Sequence, residues 1–349
     1  MTDWLIPGLT AILAVGFALA LLDQWRERRQ TFQLVWAVGM AFFGIASGSE
    51  AIAAAVGWNE ALYRTWYLTG AVWTAGWLGL GTAFLLNRTR FGYAFAFTLF
   101  LGGLFAFLTQ RKFDYAGAGA TPIVYFISAT ILGLAVAVET YFQNERWPRI
   151  AAIGVVGATI ASVVLSVGVT LPAPGYVLDP STGQPTAALF PGSLRLLTPF
   201  LNVTGGLALL FGALFSAYVF MPKKRVLAYS LDADQTGDAF LFNLFIAPVA
   251  LTVNFVASLP GAVTALMAGR LHSRVPATLL IAVGAFVASA GDTLNRFGIT
   301  APFAVAKLVA VIFLLAGFLV SIEVFRQFRV PFTQIRLGVT RRERGPDAA

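Results

Sequence analysis

Along the chain, apolar residues run in nine stretches of roughly 20, each closed by a short polar break. An α-helix rises about 1.5 Å per residue, so about 20 residues cross a hydrocarbon core of ~30 Å. The stretches 4–22, 32–57, 61–86, 92–109, 121–142, 149–171, 197–221, 276–295 and 302–325 meet that length. The pattern predicts an all-α, polytopic transmembrane helical bundle, a single domain over residues 1–328 with a basic tail at 329–349. Two breaks are longer. The outer loop 172–196 carries Pro172, Pro174, Pro180, Pro185 and Pro191 and reads as irregular. Its end, 187–197, is apolar enough to lie in the membrane interface. The inner loop 222–238 is basic, then acidic. Neither a tandem repeat nor an inverted half-to-half symmetry is visible.

The stretch 239–269 decides the span count. It is long and apolar, but Pro248, Pro260 and Gly261 interrupt it, and Asn243 and Asn254 lie within it. The expectation is a broken or re-entrant segment that does not cross, giving nine spans, with ten as the alternative. Charge supports nine. With the N-terminus outside and 239–269 not crossing, 18 of the 24 Lys and Arg fall inside, among them Arg26, Arg28, Arg29, Arg88, Arg90, Lys223, Lys224 and Arg225. Arg64, Arg111, Lys112, Arg195 and Arg296 fall at the outer side, and Lys307 lies within a span. That is the positive-inside pattern, with N-terminus outside and C-terminus cytoplasmic.

Composition narrows the function classes. Hydrophobic residues are 58% and charged residues 11% of the chain, with a mean hydropathy of +0.77, outside the range of soluble domains. The net charge of +8 is scattered over short loops instead of forming a stripe, so no nucleic-acid partner is expected. The absence of Cys removes disulfides, thiolate metal sites and iron–sulfur clusters held by this chain alone. A single histidine, His272, excludes a haem held by two histidines of the chain. No cofactor is expected. The first span lacks a basic leader segment and reads as retained, not cleaved.

Ionisable side chains inside spans are the best functional pointers, because each costs about 2.5–3.5 kcal/mol at a helix centre unless paired or hydrated. Glu50 lies about two turns from the end of span two, and Arg64 a similar depth into span three. The hairpin is expected to pair them. Asp292 and Lys307 repeat the arrangement across the 296–301 connection. Four charges at one depth point either to two ion pairs pinning helix hairpins or to a polar cavity open to the outer face. Asn202 opens span seven, where an amide bridges helices or lines a cavity. Tyr67 and Trp73 belong to the aromatic, glycine-rich span three, and Trp73 with Trp77 suits either packing or the floor of a pocket. Glu50, Arg64, Asp292, Lys307, Tyr67, Trp73 and Asn202 are therefore the candidate ligand-binding residues. No catalytic or metal residues are expected.

Weaker signals have plainer readings. Glu139 and Glu323 sit near inner span ends, where snorkelling explains them. Gly44 and Gly48 form a GxxxG, a common helix-packing pattern. Asp232, Asp234, Gly237 and Asp238 copy the start of a calcium loop, but Asn243 stands where the bidentate Glu belongs. Lys307 lies only two turns from the outer end and span three lacks an Asp counter-ion, which argues against a retinal Schiff base. His272, flanked by Arg270 and Arg274, reads as a loop residue near lipid headgroups.

Glu50, Arg64, Trp66 and Tyr67, followed by Leu78-Gly79-Leu80-Gly81-Thr82, make residues 36–86 similar to uncharacterised bacterial multi-pass membrane proteins. Stretches 279–291 and 310–317 share the likeness. More distantly, the first seven spans resemble the seven-helix membrane sensor region of some histidine kinases, which would imply signal reception in the membrane. The likeness ends at Phe328, and residues 329–349 contain no kinase module.

Together these readings favour a non-enzymatic inner-membrane protein: a small-ligand sensor, accessory or binding subunit, with the lipid bilayer, a small-molecule ligand and partner membrane subunits as its contacts. A secondary transporter for a small solute and a quinone- or cofactor-binding anchor of a respiratory complex are the alternatives.

Overall fold

The computed structural model describes residues 4–142, 145–180, 183–227, 240–272, 274–296, 299 and 302–320, with backbone alone for 240–248 and 296. The basic tail, Glu323 and the acidic run 232–238 lie outside the described residues. Helices α1 (Leu5–Arg28), α2 (Thr31–Val56), α3 (Glu60–Trp66), α4 (Thr74–Leu85), α5 (Phe91–Phe113) and α6 (Thr121–Tyr141) form the first half. They are followed by α7 (Trp147–Val167), α8 (Gly192–Phe220), α9 (Phe240–Met267), α10 (Arg274–Arg296) and α11 (Phe303–Val320). A π-helical stretch, Tyr67–Trp73, joins α3 to α4, so Glu60–Leu85 runs as one rod. Ten of these rods are long and apolar enough to cross a membrane. The chain is an all-α polytopic membrane protein.

The outward faces show why. Ile123, Ile127, Ile131, Leu134 and Val138 of α6 and Ile153, Ile160, Val164 and Val167 of α7 are exposed at helical spacing. Water would penalise such faces, whereas acyl chains match them.

Close approach at small residues sets the pairings. A Cβ on Gly44 would sit 2.8 Å from Val15 Cγ2, so the GxxxG of α2 faces α1 within the chain. Gly79 lies against Gly205, where a Cβ would come 2.5 Å from Gly205 Cα, which draws α4 and α8 together in parallel. Gly284 and Gly317 bring α10 and α11 together, against Ala310 O and Ala277 O respectively. Gly206 faces Ser289, Asn202 meets Asp292, and Met221 clusters with Val275, so α8 and α10 are antiparallel. One core joins α2 to α8, including Tyr63, Tyr67, Phe95, Trp147 and Leu201. A second joins α1, α2, α8, α10 and α11 through Phe17, Met40, Leu209, Leu314 and Phe318.

Two expectations change. The loop before span seven is shorter than anticipated, because α8 begins at Gly192 with Pro191 as its extended N-terminal neighbour. The break expected within 239–269 is not found: α9 is helical from Phe240 to Met267, through Pro248 and Pro260. A proline removes one amide donor, whereas a break in an apolar setting would strand several backbone groups, so the helix persists. The inner end of α8 and the first turn of α10 share one cluster, so the chain between them starts and finishes at the same end of the bundle. That end carries Arg26, Arg88 and Lys223, and residues of α9 join its cluster. The opposite end carries Glu50.

Candidate functional site

At the Glu50 end, α2, α3 and α11 converge. Glu50 is two turns from the C-terminus of α2, and its side chain is 5% exposed. Its Oε2 pairs with Lys307 Nζ of α11, whose side chain is 13% exposed. Its Oε1 accepts a 2.7 Å hydrogen bond from Trp66 Nε1 of α3. Both carboxylate oxygens are thus engaged, one by an ammonium and one by an indole N–H. Lys307 Nζ also lies 4.5 Å from the Phe303 ring centroid, one turn earlier on α11. Such a contact stabilises a desolvated cation.

The expected partners differ from those found. Arg64 does not reach Glu50. Its Nε and Nη2 donate to Glu60 Oε1 at 2.8 and 2.6 Å, Nη2 also reaches Val169 O at 2.6 Å, and Nη1 donates to Ser166 O. The i,i+4 spacing puts Glu60 on the same face as Arg64, and the carbonyls freed at the end of α7 need a donor. Arg64 is therefore the clamp between α3 and α7. Asp292 takes a 3.1 Å hydrogen bond from Asn202 Nδ2, joining α10 to α8, while Lys307 turns to Glu50. Asn202 Oδ1 is buried without a hydrogen-bond partner among the described residues. The four charges foreseen at one depth thus divide among a central pair, a clamp and an interhelical bridge.

Tyr67 follows Trp66 in sequence, and the two rings are in contact. Its hydroxyl shares a 2.8 Å hydrogen bond with Thr198 Oγ1, and its ring stacks on Phe190 at 4.3 Å. Tyr63 stacks on Phe190 at 5.0 Å, and Trp66 contacts both tyrosines and Trp58. These rings wall the pair on the loop side. Trp73 belongs elsewhere: its Nε1 donates to Ser162 Oγ of α7 at 2.8 Å and its ring packs on Phe42. Trp77 repeats the pattern with Thr159 and Phe42. Their role is to lace span three to α7.

Between Trp66 and Trp73 the rod widens into a π-helical stretch. Thr74 N–H bonds Thr69 O, five residues back, and the Thr74 hydroxyl reaches the same carbonyl at 2.7 Å. Thr69 Oγ1 caps Thr65 O at 2.6 Å. The hydroxyls satisfy carbonyls that the wider turn frees. Gly70 in this stretch lets α2 approach, since a Cβ there would sit 2.8 Å from Ala46 Cβ. Single π turns inside α-helices recur at functional sites.

Trp66 entered the sequence reading only through the resemblance and not as a candidate site residue, and Phe303, Thr198 and Phe190 did not enter it. A buried indole N–H needs an acceptor, and Phe303 stands one turn before Lys307, so two of the four left a signal. Thr198 and Phe190 left none. No protein-family model matches the chain, and neither a curated protein nor a solved structure matches it.

Proposed function

We propose that this membrane protein acts by binding, not by catalysis, and receives a small zwitterionic solute at the Glu50–Lys307 pair, as a sensor or binding subunit. One observation carries the reading: a carboxylate and an ammonium on helices distant in sequence meet in a nearly closed, apolar-walled site beside a π-helical turn. Burying such a pair costs more desolvation than its attraction readily repays, so stability alone gives little reason to keep it. A ligand bearing one positive and one negative group would replace each partner in turn and leave no charge unpaired. A singly charged ligand would strand either Glu50 or Lys307.

Tyr63, Trp66, Tyr67 and Phe190 would form the wall on the entry side, beneath the loop that carries Thr186, the acceptor of the Tyr63 hydroxyl. The positive-inside pattern supports a cytoplasmic basic end and an outward Glu50 end, so the solute would arrive from outside the inner membrane. Transport has less support, since the sequence carries no inverted half-to-half symmetry.

The test is a thermal-shift series on the detergent-solubilised protein with amino acids, betaines, small carboxylates and small amines at millimolar concentration. A zwitterion is expected to raise the melting temperature where the singly charged compounds do not. A shift produced by the carboxylates or amines alone, or by none of the panel, would contradict the reading.

A further inference from the structure

The basic end carries an arrangement that the ligand site does not use. Between Leu251 and Ala262, α9 stays in contact with this end of the bundle along its length. Leu251 packs on the main core, while Leu251, Phe255, Leu259 and Ala262 join Tyr218, Met221 and Val275. The chain leaving α8 doubles along the same helix. Lys224 N–H donates to Ser258 Oγ at 2.8 Å, and the N–H groups of Val226 and Leu227 donate to Asn254 Oδ1 at 2.8 and 2.9 Å. Asn254 Nδ2 returns a 2.8 Å hydrogen bond to Leu227 O. Asn254 and Ser258 are each 1% exposed, so the polar face of α9 is spent on that strip of chain.

The opposite face is bare and apolar. Val249, Val253, Val256, Val263 and Met267, at helical spacing, are all exposed. On the other side of the helix the pinned strip presents Lys223, Lys224 and Arg225, consecutive and exposed. A membrane-crossing helix would bury its midpoint at the bilayer centre, far from these cations. Here the midpoint of α9 is bonded to the strip that bears them.

We propose that α9 lies in the plane of the membrane interface at the basic end, with its valine face in the acyl boundary, and that Lys223, Lys224 and Arg225 bind the headgroups of anionic phospholipids. A helix with an apolar face on one side and cations on the other is what an anionic lipid surface recognises. The inference is independent of the solute site and of which leaflet faces the basic end.

The chain has no cysteine, which permits single nitroxide labels at Val249, Val256, Val263 and Met267 in the full-length protein. The labelled proteins are reconstituted in nanodiscs of phosphatidylglycerol and phosphatidylcholine, and depth is read from oxygen against nickel-chelate accessibility. The four labels are expected at one shallow depth. A depth that changes steadily by about 1.5 Å per residue would mean a crossing helix and would overturn the proposal. Labels open to the nickel chelate at all four positions would overturn it too, since the face would then meet water instead of lipid, and so would labels closed to both reagents, since the face would then be covered by protein. In the same discs, Lys223→Gln, Lys224→Gln and Arg225→Gln together are expected to lower the excess of phosphatidylglycerol held by the protein by about five-fold for each cation removed. An unchanged excess would overturn the headgroup assignment.

Discussion

Glu50 of α2 and Lys307 of α11 form an ion pair across a sequence separation of 257 residues. It ties α11 to α2 at the Glu50 end, and Trp66 completes it from α3. Everything proposed about ligand recognition depends on that triad.

The first prediction concerns what holds the pair. Glu50→Gln leaves Lys307 buried without its counter-charge, and Lys307→Gln does the reverse, each at a cost of about 3–5 kcal/mol. The double variant removes both charges and is expected to recover most of that loss, read as detergent melting temperatures in a double-mutant cycle. Additive losses would mean that the two side chains do not meet.

Arg64 supplies the control. Its cycle with Glu50 is expected to be additive, since it belongs to Glu60 and to the carbonyls of Ser166 and Val169. Arg64→Gln strands those carbonyls, a loss of about 1–3 kcal/mol. Glu60 is half exposed, so Glu60→Gln is expected to cost under about 1 kcal/mol. Coupling between Arg64 and Glu50 in the melts would reverse the assignment of partners.

These outcomes bear on what the sequence can disclose. Runs of about 20 apolar residues revealed the rods, because span length is set by the bilayer and needs no knowledge of neighbours. Pairing is different. Arg64 was matched to Glu50 because a hairpin brings them near, yet a local i,i+4 partner, Glu60, was available and is the one used. Lys307 could not be assigned to Glu50, because nothing in the sequence shows that α2 and α11 meet at this end. Asn202 and Asp292 were both singled out, but only packing of α8 on α10 joins them. In α9 the prolines suggested a break that the backbone does not make.

Glycine contacts give a prediction for the fold itself. A methyl on Gly205 would overlap Ala75 O, a backbone atom that cannot swing away. Gly205→Ala is therefore expected to cost about 3 kcal/mol or more and to lower the yield of folded protein. Gly16 of α1 has open space where its Cβ would be, so Gly16→Ala should be neutral or stabilising by up to about 1 kcal/mol. Thermal melts of the two variants check the contrast, and equal effects would contradict the α4–α8 contact.

The most direct test of the central claim combines the repaired pair with the ligand. Glu50→Gln/Lys307→Gln keeps the shape of the site and restores stability, but it removes both charges that a zwitterion would engage. A ligand at 100 times its dissociation constant stabilises the wild-type protein by about 2.7 kcal/mol. Isothermal titration of the solute that shifts the wild-type melt, performed on this double variant, is predicted to show no binding although the protein melts near the wild-type temperature. Binding of that solute to the double variant with wild-type affinity would contradict the account.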